Sequence, residues 1–404
     1  MQITRGYKTE LRLTREQERL FAKACGIARF AYNWGLERNN NVWLYNQLPH
    51  EPVKYESPID QHRTLNSKKA VEFSWMYEVS KCVPQEALRD LGKAFHNFLV
   101  RRDRFGWPRF KSRHDDRQSF TLTGSIRVTD RAIKLPRLRW VKLKERGYLP
   151  AGRHVLSATV SRRAGRWFVS VGVRKRTRMP DNHGPVVGVD WGVSHLVTLS
   201  DGTIIEGGRP LRRLQRGLKH VQKELSRRQK GSSDRAKTLL RLQKLHWRVA
   251  NVRNDELHKL TTMLARTKSV VVIEDLAVQN MTKNHRLAGA ILDGAPAELR
   301  QMLEYKTRWY GSRLVVAPRK FPSTKRCSGC GNVKEEMPLS ERVYRCEVCG
   351  LVIDRDLNAA RNLEWYVTAS SAGCACLMQE VTGPRGPVPA GEAGRVHSTW
   401  SKWP

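Results

Sequence analysis

Acidic residues are scarce in this chain. Its 404 residues carry 38 Asp and Glu against 74 Lys and Arg, a formal net charge of +36, and a compact fold with that excess repels itself unless a polyanion neutralises it. Nucleic acid is the expected partner, because a merely solvated surface usually carries acids in comparable number. Long apolar runs are also missing. No stretch reaches about 18 apolar residues without a charge, so a membrane partner is not expected. The amino terminus, Met1-Gln-Ile-Thr-Arg-Gly-Tyr-Lys, has no apolar signal region. The eight cysteines stand mostly at paired, metal-type spacing instead of the scattered spacing of a secretory framework. A soluble protein of a reducing, cytoplasmic compartment is expected. The 40% apolar content suffices for two or three compact units with cores of their own.

A strand over residues 2–13 precedes Thr14-Arg-Glu-Gln17, which has the form of a helix capping box. Leu20, Ala24, Ile27, Ala31 and Trp34 then recur at three- and four-residue steps, one apolar stripe on a helix running toward Asn39. A second helical region over 81–102 ends in 105–113, where aromatic rings alternate with Arg109 and Lys111. Such a segment stacks on bases and meets phosphates, or forms a packed turn. Short β-prone runs follow at 126–128, 133–135, 140–143, 155–160 and 167–173, with Ala164-Gly165 as the turn of the clearest hairpin. They suggest a small barrel into which the helices are inserted.

Past a boundary at 180–185, a strand over 186–192, a run at 195–200, an Asp201-Gly202 turn and a run at 203–206 predict a hairpin-rich β start. Leu211, Leu214, Leu218, Val221 and Leu225, then Leu242, Leu245, Val249 and Val252, predict two antiparallel helices. Their outer faces carry Arg212, Arg213, Arg216, Arg227, Arg228, Arg241 and further cations almost without compensating acids, which suits phosphate contact as well as plain solvation. A strand ends at Glu274, a helix runs from Pro296 to Gly311, and another strand covers 314–317. After Tyr366 the composition turns to Gly, Pro, Ala and Ser, the mark of a flexible tail.

Cys327-Ser-Gly-Cys330-Gly331 and Cys346-Glu-Val-Cys349-Gly350 are separated by 15 residues. Two residues between thiols let one turn present both sulfurs to one ion, and four thiolates close a tetrahedral zinc site with no open position. Disulfides or free core cysteines are the competing reading. Such a zinc is structural and cannot be the catalyst. Cys25 and Cys82 stand alone, Cys374 and Cys376 lie in the tail, and none is assigned chemistry.

Three acids stand where metal-dependent nuclease chemistry would need them: Asp190 within an apolar strand, Glu274 at the end of another, and Asp356 in Asp354-Arg-Asp-Leu-Asn-Ala-Ala360. A buried carboxylate must be paired with a cation or bind metal. Separate cationic partners for each acid and a shared magnesium site both satisfy that demand.

Taken in order, Gly188-Val-Asp190-Trp-Gly192, Ile273-Glu274-Asp275-Leu276, the double C-x-x-C-G and Asp354-Arg-Asp-Leu-Asn-Ala-Ala-Arg-Asn362 resemble the TnpB proteins of insertion sequences. Gly26-Ile-Ala-Arg-Phe-Ala-Tyr-Asn33 and Leu303-Glu-Tyr-Lys306 resemble them too, so the likeness spans nearly all of the chain up to about Tyr366. It implies an α/β multidomain protein with an RNase H-like (RuvC) core. Its expected divisions are the first strand of a wedge β barrel at 1–13, a helical recognition domain at 14–113, the rest of the barrel at 114–182, nuclease motifs I and II at 183–322 with a basic hairpin at 209–267, the ribbon at 323–351, motif III at 352–366, and a tail at 367–404.

The same resemblance implies an RNA-guided DNA endonuclease of a transposable element, working in the prokaryotic cytoplasm or nucleoid as a monomer within a ribonucleoprotein. It implies a guide RNA from the mobile element, a double-stranded DNA target beside a short transposon-adjacent motif, and kinship with compact type V CRISPR effectors. Catalysis is expected from Asp190, Glu274 and Asp356 holding two magnesium ions, with Asp354 as support or a ribbon-side contact and Asp275 facing away from the site. By motif match, Lys81 and Gln85 face the adjacent motif, since lysine meets phosphate or guanine and glutamine pairs with adenine. A nuclease-silent RNA-guided repressor, a DDE-type transposase and a non-catalytic zinc-ribbon protein are the competing functions.

Overall fold

The computed structural model describes residues 2–371 apart from 50, 114–117, 177, 179 and 339. Two compact units divide the described chain near residue 177.

In the first unit, β1 (Gln2–Arg12) leads through Thr14 into α1 (Arg15–Tyr45), whose capping box forms as the sequence predicts. Ala24, Ile27 and Ala31 are buried, and the helix continues six residues past Asn39. The next helix, α2 (Pro58–Lys68), has a Ser57 cap and a proline start but buries only Gln61 and Leu65, too few positions to leave a readable stripe. A short 3₁₀ turn over Ser74–Glu78 precedes α3 (Cys82–Val100). The remaining strands are β2 (Gln118–Thr123), β3 (Arg127–Val128), β4 (Ala132–Leu135), β5 (Arg139–Leu143), β6 (Val155–Arg163) and β7 (Arg166–Arg176).

These strands form one antiparallel sheet in the order β2-β6-β7-β1-β5-β4-β3. Among the described residues no ladder pairs β2 with β3, so the expected barrel is a seven-stranded sheet whose hydrogen bonds leave two ends. β1 lies between β7 and β5 although three helices follow it in the chain, as expected for a helical insertion into a β unit. Ala164 and Gly165 both take positive φ, 50° and 77°, the two-residue turn that matches strand twist in a hairpin. One core joins helices and sheet through Phe21, Leu88, Phe95, Phe120 and Val169.

The second unit begins with β8 (Val186–Trp191), β9 (Val197–Leu199) and β10 (Ile204–Ile205), followed by α4 (Pro210–Arg227) and α5 (Ser233–Thr267). Next come β11 (Val270–Glu274), α6 (Val278–Met281), α7 (His285–Gly294), α8 (Pro296–Tyr310), β12 (Arg313–Ala317), β13 (Val343–Arg345), β14 (Val352–Asp354) and α9 (Arg355–Ser371). Its main sheet runs β10-β9-β8-β11-β12. The first three strands are an antiparallel meander, while β11 pairs in parallel with both β8 and β12. Helix α9 continues through residues 367–371, correcting the expectation that periodicity ends at Tyr366; the rest of the expected tail, including Cys374 and Cys376, lies outside the described residues. Among the described residues no helix is long and apolar enough to cross a membrane.

Lys306, part of the Leu-Glu-Tyr-Lys motif, is buried where α8 meets α5. Its ammonium donates to the His258 carbonyl at 2.8 Å, Thr261 Oγ1 at 2.7 Å and Thr262 Oγ1 at 2.8 Å. Burial lowers its pKa from 10.5 to about 8. The folded state therefore sheds this proton first as pH rises, and stability climbs between about pH 8 and 10.5. Lys306→Met is expected to flatten that climb by about 1–2 kcal/mol once solvent screening is allowed for. Denaturant unfolding of both proteins at a series of pH values measures the difference.

Candidate nuclease site and its zinc ribbon

Valine-rich runs place two acids on neighbouring strands. β8 and β11 are parallel in the register Val186↔Val270 to Val189↔Ile273, and the next residue along each is Asp190 and Glu274. Asp356 arrives from the first turn of α9, which crosses β8 at Gly188. A Cβ on Gly188 would lie 1.9 Å from the Ala360 carbonyl oxygen and 2.6 Å from the Glu364 nitrogen. Only a glycine there lets α9 come this close, and Ala359 and Ala360 are the small buried residues on the helix side. Gly188→Ala is expected to displace α9, to cost about 1–3 kcal/mol through overpacking, and to slow site chemistry about a hundredfold through misplacement of Asp356. Thermal melting and single-turnover cleavage check the two effects.

Asp190 is 8% exposed. Its pKa is raised well above the usual carboxylate range by burial first, then by the charges of Glu274 and Asp356, with Arg355 opposing. Glu274 is also raised by burial, against the hydroxyl hydrogen bond it accepts from Ser323. Asp356 is held by Arg355 at 3.1 Å. One guanidinium beside three converging carboxylates leaves an excess of negative charge, and oxygen donors of this kind fit a hard divalent cation such as magnesium. Asp354 caps α9, its Oδ1 accepting from the amides of Asp356 and Leu357 at 2.9 and 3.0 Å. Asp275 is bound instead to Arg300 at 2.6 Å and Arg319 at 3.0 Å.

The four ribbon cysteines are brought together, with all Sγ atoms within 4.8 Å of one another. Cys327–Cys349 and Cys330–Cys346 are each separated by 3.6 Å, close to the roughly 3.8 Å edge of a tetrahedron with about 2.3 Å zinc–sulfur bonds. Each knuckle closes alike: the amides of Gly331 and Gly350 donate to the Cys327 and Cys346 carbonyls at 3.0 Å. Both glycines have left-handed φ, 81° and 72°, which explains the residue type after each C-x-x-C. The donor set fits one zinc. Among the described residues the four cysteines are the group of three or more His, Cys, Asp or Glu gathered so as to hold a metal ion; the three carboxylates do not form such a group.

The ribbon is fastened to α9 by two asparagines whose role the sequence did not disclose. Asn358 Oδ1 accepts from the Ser328 amide at 2.9 Å, and its Nδ2 donates to the Arg326 carbonyl at 2.7 Å. Asn362 Nδ2 donates to the carbonyls of Ser323 and Arg326 at 2.8 and 2.6 Å, while its Oδ1 accepts from Arg326 Nη1 at 2.9 Å. Both asparagines are fully buried. Ser323 thus belongs to both networks, its carbonyl on Asn362 and its hydroxyl on Glu274.

The candidate nucleic-acid residues fall in both units. In the first, Lys81 is exposed just before α3 and Gln85 is half-buried one turn on. Lys69, Arg89 and Lys81 lie near enough to add to burial in lowering the His62 pKa. In the 105–113 segment Trp107 is half-buried and Pro108 buried, and the other residues are exposed. Trp107 stacks edge-on against Phe95 and Phe98 at 5.2 and 5.3 Å and donates to Asn40 at 3.0 Å. Lys111, exposed like Arg109, Phe105 and Phe110, places its ammonium 3.8 Å from the Tyr32 ring centre.

In the second unit, Arg212, Arg213, Arg216, Arg227 and Arg228 are all exposed on or just after α4. The few acids on these faces are paired. Glu224 pairs with Arg228 at 3.4 Å and Arg241 at 3.0 Å, and Asp234 with Lys237 at 3.2 Å. Helical i,i+4 and i,i+3 spacing accounts for the Arg228 and Lys237 pairs, whereas Arg241 reaches Glu224 from the neighbouring helix.

Comparison with known proteins finds likenesses along most of the chain. A family model of the OrfB IS605 type, described as "Probable transposase", matches residues 158–285. One described as "Cas12f1-like, TNB domain" matches 297–363, a span that includes the ribbon. A third, described as "Helix-turn-helix domain", matches 1–47, although β1 and the single helix α1 occupy that span. A Streptomyces pristinaespiralis protein named as an RNA-guided DNA endonuclease is 39% identical over 384 residues, covering 93% of this chain and 91% of the relative. InsQ of Escherichia coli K12, named likewise, is 32% identical over 396 residues, covering 93% and 94%. The protein chain of a Cas12f1–sgRNA–target DNA complex superposes with a TM-score of 0.50 at 12% identity, covering 90% of this chain and 99% of that one, a likeness of fold alone. With two relatives above 30% identity along almost their whole length, the chain belongs to the TnpB (OrfB, IS605-type) family of insertion-sequence proteins.

Proposed function

We propose that this protein is an RNA-guided, metal-dependent DNA endonuclease of a transposable element, cutting guide-complementary DNA beside a short transposon-adjacent motif. The observation that carries the reading is the convergence of Asp190, Glu274 and Asp356 at one end of a mixed sheet, with Asp190 buried against the other two charges. The antiparallel meander continued by two parallel strands supports an RNase H-like (RuvC) core. The helices inserted after β1 support the assignment of a recognition domain to a wedge sheet. The names of the full-length relatives support guidance by RNA.

In this reading Asp190, Glu274 and Asp356 would hold two magnesium ions, whose chemistry would be to activate a water and to stabilise the leaving 3′ oxygen. The chain's own part is orientation. Ser323 fixes the Glu274 carboxylate, Arg355 fixes Asp356, and the Asp354 cap anchors the turn that presents it. Zinc belongs to the ribbon as a structural ion, since four thiolates leave no open ligand position. Base pairing between guide and target supplies sequence choice, leaving the protein to hold backbone by charge. Lys81 and Gln85 are assigned to the adjacent motif, and the α4 arginines to phosphate.

Purified ribonucleoprotein with magnesium is expected to cut a guide-matched plasmid and to leave an unmatched one intact. Protein stripped of RNA is expected to cut neither. Cutting that proceeds without RNA would overturn guidance.

A further inference from the structure

A cavity of about 740 Å³ opens on the nuclease unit between the β8–β9 loop, the start of α4, and α7, with Gly192, His195, Arg212, Gln215 and Arg286 on its walls. It adjoins the carboxylates: a Cβ on Gly192 would lie 3.7 Å from Asp356 Oδ2. A second cavity of about 560 Å³ shares Arg209 and Arg212 with the first and extends to Arg213.

The charges around the first cavity are unevenly committed. Glu206 meets His195 Nδ1 at 2.6 Å, Glu256 accepts from the Gly208 amide at 3.2 Å, and Asp293 accepts from the Leu211 and Arg212 amides at 3.0 and 3.2 Å. Arg209 donates to the Ser194 carbonyl. Among the described residues, no carboxylate lies within ion-pair distance of the Arg212 or Arg286 guanidinium. Two uncommitted guanidiniums therefore face a space of small-ligand size, too large for a lone phosphate, at the edge of a cluster of acids. An anion with a sizeable uncharged body suits it.

We infer that this cavity seats one nucleotide of the DNA strand being cut, next to the phosphate at the carboxylates. Arg212 and Arg286 hold its flanking phosphates, and the second cavity carries the strand on toward Arg213. The inference rests on the nuclease reading and assigns the strand a path within this unit. It gives Gly192 a purpose, because a side chain there would stand between the pocket and Asp356.

Two measurements test it. In the full-length Asp190→Asn ribonucleoprotein, 5-iododeoxyuridine is placed at successive positions of either strand of a guide-matched duplex, irradiated, and the crosslinked peptides are mapped. One or two consecutive positions are expected to attach to peptides within 192–215 or 286–294. Crosslinks confined to other peptides, or attachment of these peptides to iodouridine in the guide RNA instead, would overturn the assignment. Second, a labelled single-stranded DNA oligonucleotide is titrated against wild type, the Arg212→Gln/Arg286→Gln pair and the matching double lysine variant. The glutamine pair is expected to bind about tenfold more weakly with a salt slope smaller by about 1.4, and the lysine pair to recover most of the slope. An unchanged affinity and slope would sink the pocket. Wild type that fails to cut while the crosslinks and the slope change persist would strike the nuclease reading alone.

Discussion

Asp190→Asn should abolish cleavage and make the metal-free protein more stable. The two effects have one cause. Asp190 is buried beside two further carboxylates, so its ionised form costs the folded state energy that a divalent cation would offset. The amide keeps the shape and removes the charge. Single-turnover cutting of a matched duplex should fall by at least about a thousandfold, while guide and target binding, read by gel shift, stays near wild type. In chelator at neutral pH, unfolding should require about 1–3 kcal/mol more. The pH dependence gives a further check. A carboxyl whose folded pKa lies above its unfolded value, as burial and the Glu274 and Asp356 charges make this one, contributes stability present below the unfolded pKa and lost as pH rises through the folded one. Wild-type stability in chelator should therefore decline across that window, and the Asn variant should decline less. Retained cutting would remove Asp190 from the site; lost cutting with no gain in stability would mean that the charge is already neutralised within the fold.

The sequence disclosed this acid because an aspartate inside a valine run contradicts its surroundings, and the structure adds which neighbours make the contradiction tolerable. The start of α1 was legible from its capping box and its course from a sustained stripe, although its end lies six residues beyond Asn39; α8 was legible from Pro296 at its entry and Gly311 at its exit, where φ is 73°. Helices α2, α6 and α7 were not. They are short, and α2 buries only two side chains while α6 buries none, so no periodicity survives in the residue pattern. The same limit hid Ser323 and Arg355. A serine in a loop and an arginine in a basic chain carry no distinguishing pattern until the fold places them on Glu274 and Asp356. Asn358 and Asn362 lay within a quoted motif, and their four-residue spacing puts them on one helix face. What that face touches is tertiary information, set by the knuckle at Arg326 and Ser328.

Removing zinc should disable the carboxylate site at a distance. Cys346 and Cys349 close the second knuckle, β13 and β14 pair around it from Val343↔Asp354 to Arg345↔Val352, and β14 runs directly into α9. The first knuckle grips the same helix through Asn358 and Asn362. Four thiolates around one zinc are worth about 10–16 kcal/mol in small zinc domains, far more than the ribbon's own core of Tyr344, Met337, Leu351 and Ile353 can supply. Cys346→Ala, or exhaustive chelation, is therefore expected to unfold the ribbon and free both asparagines. Asp356 and, through Ser323, Glu274 would lose their support. Elemental analysis should find one zinc per wild-type chain and none in the variant. Amide exchange in 355–363 should accelerate, and magnesium-dependent cutting should drop about a hundredfold or more. Cys82→Ser, in the other unit, is the matched control and should change neither zinc content nor cutting. A zinc-free chain that cuts at the wild-type rate would show that the triad is held by the sheet and α9 alone. A zinc-free chain with normal exchange over 355–363 but no cutting would instead place the ribbon's contribution on the nucleic acid, outside the geometry of the acids.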